Sequence, residues 1–427
     1  MNRLADPVGF FQTLPAGTQL VLHSGCAEPE RLAGALTEAA PQMKGARLFT
    51  LMPMGPTPYA AERRAAGLQT STFFPGTGLR AAINAGLAQP LRQPLSQIPG
   101  MFEAGAIRAD VLLLQLSPPD ADGNFSLGVS VDYMQSVLAQ SPMVIAEINP
   151  HMPRTRGDTL VRASQVQWYV EGSARLRAVH GIAADPVDQT IAANVASLVG
   201  DAAVLQIGIG ALPDRVLSQF GHLRHLGIHT GVFTDAMRPL IESGVIDNSR
   251  KSAFRGVSLA TMAAGTQRLY DFLHENPAVE FHPCGFTHDR AVLASVQNLT
   301  AINSALQVDL AGNVNAELVR GRRVSMPGGL PDFAAGASRA EGGKSIIALR
   351  ATHGAGGESN IVVGFPTEAC TVPASDVDFV VTEHGVADLR QRSRVVRAGA
   401  LIGVAHPSHR EALERAFSLQ VPSDTVA

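Results

Sequence analysis

Hydrophobic positions fall in short unbroken runs separated by glycine and proline clusters. Val111–Leu116 (VLLLQL), residues 144–148 (VIAEI), Val204–Ile207 (VLQI), residues 344–349 (KSIIAL) and Phe379–Thr382 (FVVT) are apolar at successive positions rather than at every second one. That pattern predicts strands covered on both faces, as in parallel sheets flanked by helices. Helical spacing appears over residues 79–88 and again over 408–417, with the run 398–405 leading into the second. Residues 52–57 (MPMGPT) and 117–123 (SPPDADG) are too rich in proline and polar turn formers to be core. Residues 149–155 (NPHMPRT) place two prolines and an arginine directly after a buried strand, which predicts a rigid loop facing a cleft.

The pattern repeats. Residues 18–22 lead into His23-Ser24-Gly25 and then Pro29-Glu30-Arg31, while Val204–Ile207 leads into Gly208-Ile209-Gly210 and then Pro213-Asp214-Arg215. Both stretches run strand, glycine turn, Pro-acid-Arg, helix, and the echo recurs at about half the chain length. The expected fold is α/β, with two related open α/β domains, residues 1–190 and 191–427, and the site in the cleft between them. The boundary falls near 185–195, where the Ala-, Arg- and His-containing stretch 172–190 gives way to an apolar run at Ile191.

Composition narrows the class. At 427 residues, length alone gives two to three domains of about 150–200 residues. A hydrophobic content of 45% with 41 glycines and few aromatics fits a soluble α/β enzyme. The net charge of −3 leaves no basic stripe for nucleic acid. Cys26, Cys284 and Cys370 are far apart and odd in number, which suits a reducing compartment. With no apolar run of signal or spanning length, the expected location is cytoplasmic, with no membrane partner.

The chemistry gathers around residues 204–235. A helix entered through glycines presents unpaired N–H groups suited to a phosphate or an oxyanion. Here the pattern is GxGxxP, which lacks the third glycine of the dinucleotide fingerprint and any Walker lysine. No HxxxH or HExxH spacing accompanies His282, His288 and His353, so no metal site is expected and these histidines read as polar loop surface. Cys284 reads as a small buried hydrophobe.

Taken with SPPDADGNFSLGVSVDY (117–133), AEINPHMPRT (146–155), LQIGIGALPDRVL (205–217), GIHT (227–230), INSALQVDL (302–310), PGGLPDFAAGAS (327–338), VVTEHGVADLR (380–390) and ALIGVAHPSHREAL (400–413), the chain resembles the acetyl-CoA hydrolase/transferase family. This is the branch of class I CoA-transferases that includes 4-hydroxybutyrate and acetate CoA-transferases. The resemblance implies a CoA thioester as substrate, a small carboxylate or other acyl acceptor, no permanently bound cofactor, and a homo-oligomer. It also implies a glutamate nucleophile that takes the acyl group and then CoA. CoA would lie against Gly208, Ile209, Gly210, Ala211 and Leu212, and the Gly328-Gly329 backbone would supply oxyanion donors.

One departure stands at the centre of that implication. Where the family reads HTE followed by Met-Phe-Ser-Asp-Gly, this chain reads His229-Thr230-Gly231-Val232-Phe233-Thr234-Asp235-Ala236, so Gly231 holds the nucleophile position. Further departures are Pro327, Leu330-Pro331, Ala374 and Gln391. Three readings follow. Water or an acyl acceptor attacks directly, with Asp235, His229 or Glu383 as base. Alternatively a carboxylate from elsewhere, such as Glu242 or Glu358, restores CoA transfer. In the third, the protein binds CoA without turnover or acts only with a partner. Asp235 and Glu383 also have structural readings, as a helix cap and a turn residue.

Overall fold

The computed structural model describes residues 1–61, 67–140, 142–181, 185–354 and 357–419. Of the joint expected over 172–190, residues 182–184 lie outside the described residues.

Two sheets carry the molecule. The first has eight strands in the order Asn2–Arg3, Trp168–Glu171, Met143–Ile148, Val111–Leu116, Gln19–Leu22, Ala46–Thr50, Leu68–Thr72, Ala88–Pro90. Every pairing in it is parallel. The second has six strands in the order Gly227–Ile228, Val204–Ile207, Leu299–Ser304, Lys344–Ala348, Phe379–Thr382, Gly385–Asp388, parallel except for its last pair. The unbroken apolar runs of the sequence become central strands; all six residues of Val111–Leu116 are buried.

Successive side chains of these strands serve different layers. Leu20, Leu22 and Leu113 pack with Leu32 and Leu36 of the helix Glu30–Ala39, forming an outer core. Val21, Leu112 and Leu114 face the other way, into an apolar cluster that continues through Leu205, Ile207, Phe233 and Ile302 of the second sheet. The two halves therefore share one core. Cross-pairing reinforces it: Arg156–Gly157 adds to Val279–Phe281, and Ser130 bridges Met262.

The helix Pro186–Ala196 crosses residue 190 and belongs with the second sheet. Asp185 caps it by accepting from the Asp188 N–H at 3.0 Å, and Asn194 reaches the Thr382 carbonyl at 2.9 Å. The loop after Met143–Ile148 is held by Arg154, which bonds the Pro118 and Asn124 carbonyls at 2.8 Å each. It lines an interdomain cavity of about 460 Å³ together with Tyr270 and His274.

Candidate active site

Val204–Ile207 lies between Gly227–Ile228, the next strand in sequence, and the later strand Leu299–Ser304. The chain thus winds first to one side and then to the other, and ligands of open α/β sheets bind at the carboxyl end of such a switch. Gly208 stands at that end, its N–H bonded to the Ile302 carbonyl at 3.0 Å. Gly210 has φ of 127°, open to glycine at little cost, and starts the helix Ala211–Leu217. Beneath the turn, Gln206 and Asn303 exchange amide hydrogen bonds of 3.1 and 2.7 Å in buried surroundings.

The neighbouring strand leads to Gly231. Gly227–Ile228 continues through His229 and Thr230 to Gly231, whose carbonyl accepts from the Thr261 and Met262 N–H groups at 3.2 and 3.1 Å. His229 is buried, donates Nε2 to the Thr287 carbonyl at 3.0 Å, and is pushed by desolvation down to a pKa of about 4. It is therefore neutral and engaged away from Gly231.

His288 occupies the ground next to Gly231. A Cβ built on Gly231 would meet its Nε2 at 3.0 Å, and a Cβ built on Gly329 would meet its Nε2 and Cδ2 at 2.6 Å. The imidazole is 1% exposed and its ring centroid lies 4.7 Å from that of Phe333. Its Nδ1 lies 2.8 Å from the Thr287 hydroxyl. Burial pushes its pKa down to about 3, with His229 adding to the effect, so the ring is neutral. Reading His288 as polar loop surface is thus overturned: packing by Phe333 and the two glycines removes it from solvent. Sequence spacing carries no signal for this contact, because His288 and Gly231 meet only through the tertiary fold.

A cavity of about 360 Å³ opens on these groups, lined by Gly208, Ile209, Gly231, His288, Gly328 and Gly329, with Met52, Met54, Phe74, Met326, Leu330 and Phe333 forming apolar wall. Gly328 has φ of 56°, bridges Pro94, and gives its carbonyl to the Leu95 N–H at 2.9 Å. Gly329 precedes the helix Leu330–Ala337, whose opening N–H groups have no intrahelical partner. The loops 52–60 and 281–290 both reach this cavity, through Met52 and Met54 and through His288.

The remaining predicted residues lie elsewhere. Gly210, Ala211 and Leu212 carry the turn into the helix and are not part of the cavity wall. The Asp235 carboxylate accepts from the Thr266 N–H at 2.6 Å and the Thr266 hydroxyl at 2.9 Å. Glu383 accepts from the Ala351 N–H at 2.9 Å and lines a separate cavity of about 580 Å³ with Arg350 and Glu358. There Glu358 pairs with Arg320 and, at 3.1 Å, with His353. Glu242 pairs with Arg238 at 2.6 Å. Cys284 is fully buried and desolvation drives its thiol well above the ordinary range, so it is no thiolate. Among the described residues no cluster of three His, Cys, Asp or Glu side chains is placed to hold a metal, and no helix is long and apolar enough to cross a membrane.

Comparison with known proteins follows the same outline. Residues 2–190 match the acetyl-CoA hydrolase/transferase N-terminal domain and residues 265–417 its C-terminal domain. The chain is 36% identical to the 4-hydroxybutyrate coenzyme A transferase of Clostridium kluyveri over 401 residues, 94% of each chain. The crystal structure of RipA from Yersinia pestis superposes with a TM-score of 0.92 at 30% identity, covering 98% of this chain and 97% of that one. A 4-hydroxybutyrate CoA-transferase structure from Porphyromonas gingivalis gives 0.84 at 29% identity, with 98% of both chains covered.

Proposed function

This chain belongs to the acetyl-CoA hydrolase/transferase family, and from that premise we propose that it cleaves or transfers the acyl group of a short acyl-CoA without forming a glutamyl-CoA intermediate. One observation supports the reading: among the described residues, no aspartate or glutamate lines the cavity on which Gly231 opens. A covalent carboxylate route needs an oxygen within reach of the thioester carbonyl. Glu242 and Glu358, the substitutes weighed from sequence, are held in ion pairs away from that wall.

The thioester would enter past Gly208 and Ile209, with its acyl group against the methionine and phenylalanine wall. A confined apolar surface of this kind suits a short acyl chain. Arg80 is the one charged side chain on the wall among the described residues, and it lies at the exposed rim.

The test is direct. Incubation with an acyl-CoA followed by borohydride leaves the protein mass unchanged, because there is no glutamyl thioester to reduce; a reduced glutamyl adduct located by peptide mapping would refute the reading. Measuring free CoA release with and without acetate then separates hydrolysis from acceptor-dependent transfer.

A further inference from the structure

The proposal above leaves open what activates the attacking group. Two observations around Gly231 bear on it. His288 Nε2 stands where a side chain rooted at position 231 would begin, 3.0 Å from the Cβ that Gly231 lacks. Among the described residues, His288 and Arg80 are the titratable side chains on the wall of that cavity, and of the two only His288 adjoins Gly231. An imidazole nitrogen that borders such a cavity can take a proton from a water molecule within it.

We propose that His288 is the general base of a hydrolytic step, its Nε2 taking the proton from a water molecule in the cavity on which Gly231 opens. The inference rests on reading the cleft as an acyl-CoA site.

The hydrogen bonds around the ring set its tautomer. Thr287 Oγ1 lies 3.3 Å from the Pro283 carbonyl, which can only accept, and 2.8 Å from His288 Nδ1. A hydroxyl has one proton to give. When that proton goes to Pro283, the oxygen accepts from Nδ1–H, and the unshared pair of the ring is at Nε2, facing Gly231. Burial keeps this nitrogen unprotonated, and the negative charge that develops on the substrate in the same cavity favours its protonation as the reaction proceeds.

The step balances. Water oxygen bonds to the thioester carbonyl carbon as its proton passes to Nε2. The carbonyl π pair moves to oxygen, where N–H groups near Gly329 offset the charge. Collapse re-forms the C=O bond and breaks C–S, and the sulfur leaves with the bonding pair and takes the proton back from Nε2. The products are a free carboxylic acid and CoA thiol, and no oxidant or second acceptor is consumed. In this scheme Gly231 is functional because it is small: a side chain there would crowd the base, its Cβ only 3.0 Å from Nε2.

Release of free CoA from acetyl- and butyryl-CoA, followed with a thiol-reactive dye, tests the assignment in the full-length chain. His288→Gln keeps the volume and the Thr287 contact but has no basic nitrogen. Its kcat should fall about 10²–10⁴-fold, the usual range for a general base, with KM little changed. His288→Gly should regain part of the lost rate when imidazole is added, which a purely structural role would not give. Circular dichroism and CoA binding at the wild-type level guard against misfolding. Wild-type kcat in His288→Gln would overturn the base assignment and leave the acyl-CoA reading standing. Transfer to acetate without CoA release would overturn the hydrolytic step alone. A wild-type protein that neither releases nor transfers CoA would overturn both.

Discussion

At the scale of single residues, the site is built on absences of side chain. Gly329 has an ordinary φ of −88°, so alanine is conformationally allowed there; the obstacle is His288, 2.6 Å from the missing Cβ. Gly329→Ala should therefore destabilise the protein by about 1–3 kcal/mol through overpacking. Combined with His288→Ala, the penalty should largely disappear, a coupling that denaturation of the four variants of the cycle would reveal. Additive effects would contradict the contact. The same logic governs restoration of a carboxylate. Gly231→Glu alone crowds His288 Nε2, 3.0 Å from the new Cβ, and should gain less transferase activity than Gly231→Glu with His288→Ala, which should form acetyl-CoA from acetate and an acyl-CoA donor. The glycines could be singled out in the sequence because each belongs to a local pattern visible within one stretch. His288 was not, since what gives it meaning is a neighbour brought close by the fold.

At the scale of elements, Asp235 shows how a polar residue beside a site can belong to architecture. Its carboxylate binds the N–H and hydroxyl of Thr266, the residue that opens the helix Gln267–Leu273. This is a cap supplied from a distant segment, and it complements the helix dipole. Asp235→Ala should cost about 1 kcal/mol in stability, with kcat per folded molecule unchanged. Loss of kcat at wild-type thermal stability would instead assign Asp235 to the chemistry. The strands were the most readable elements: Val111–Leu116, Val204–Ile207 and Phe379–Thr382 run as the apolar pattern predicts. Helix limits were less so. The spacing over 79–88 gave way to the shorter Arg80–Asn84, because the chain turns at Gly86 with φ of 73°. The run at 398–405 proved to be the end of Arg394–Val404, whose first turn leaves Val395 and Val396 exposed, off the buried stripe of Ala398, Leu401 and Ile402. Two-residue pairings such as Arg156–Gly157 with Val279–Phe281 carry no periodicity at all.

At the scale of the whole molecule, the echo between the two halves has a structural counterpart. Gln19–Leu22 and Val204–Ile207 each sit between the next strand in sequence and a later one, so each glycine turn stands at a switch point. What the echo could not show is that the sheets share one apolar core, which also buries titratable groups and makes stability depend on pH. His23 and His229 are lowered by burial to about 4 and His288 to about 3. A depressed pKa contributes stability that is full above the ordinary value of 6.5 and is lost as pH falls through the folded value. Glu28 and Glu147 go the other way, raised by burial from 4.5 to about 7, so their contribution is full below 4.5 and lost as pH rises through 7. Lys251, lowered by burial to about 7 from 10.5, favours the fold most at high pH and loses its contribution as pH falls. From about pH 6 down to 4.5 the three histidines are offset by three carboxyls, Glu28, Glu147 and Asp132, the last raised by burial from 3.8 to about 6, and at lower pH the gain from the carboxyls ends before the loss at His288 does. The denaturation midpoint should therefore vary little from pH 5 to 7 and fall steeply towards pH 3. Glu28→Gln removes one opposing group, so relative to wild type it should gain roughly 3 kcal/mol in stability between pH 4.5 and 8, following a shift of this size at about 1.4 kcal/mol per unit. Parallel pH profiles for the two proteins would show that Glu28 is ionised in the fold with an unshifted carboxyl, and that the hydrogen bond from Tyr59 and the nearby charge of Arg177 outweigh the burial.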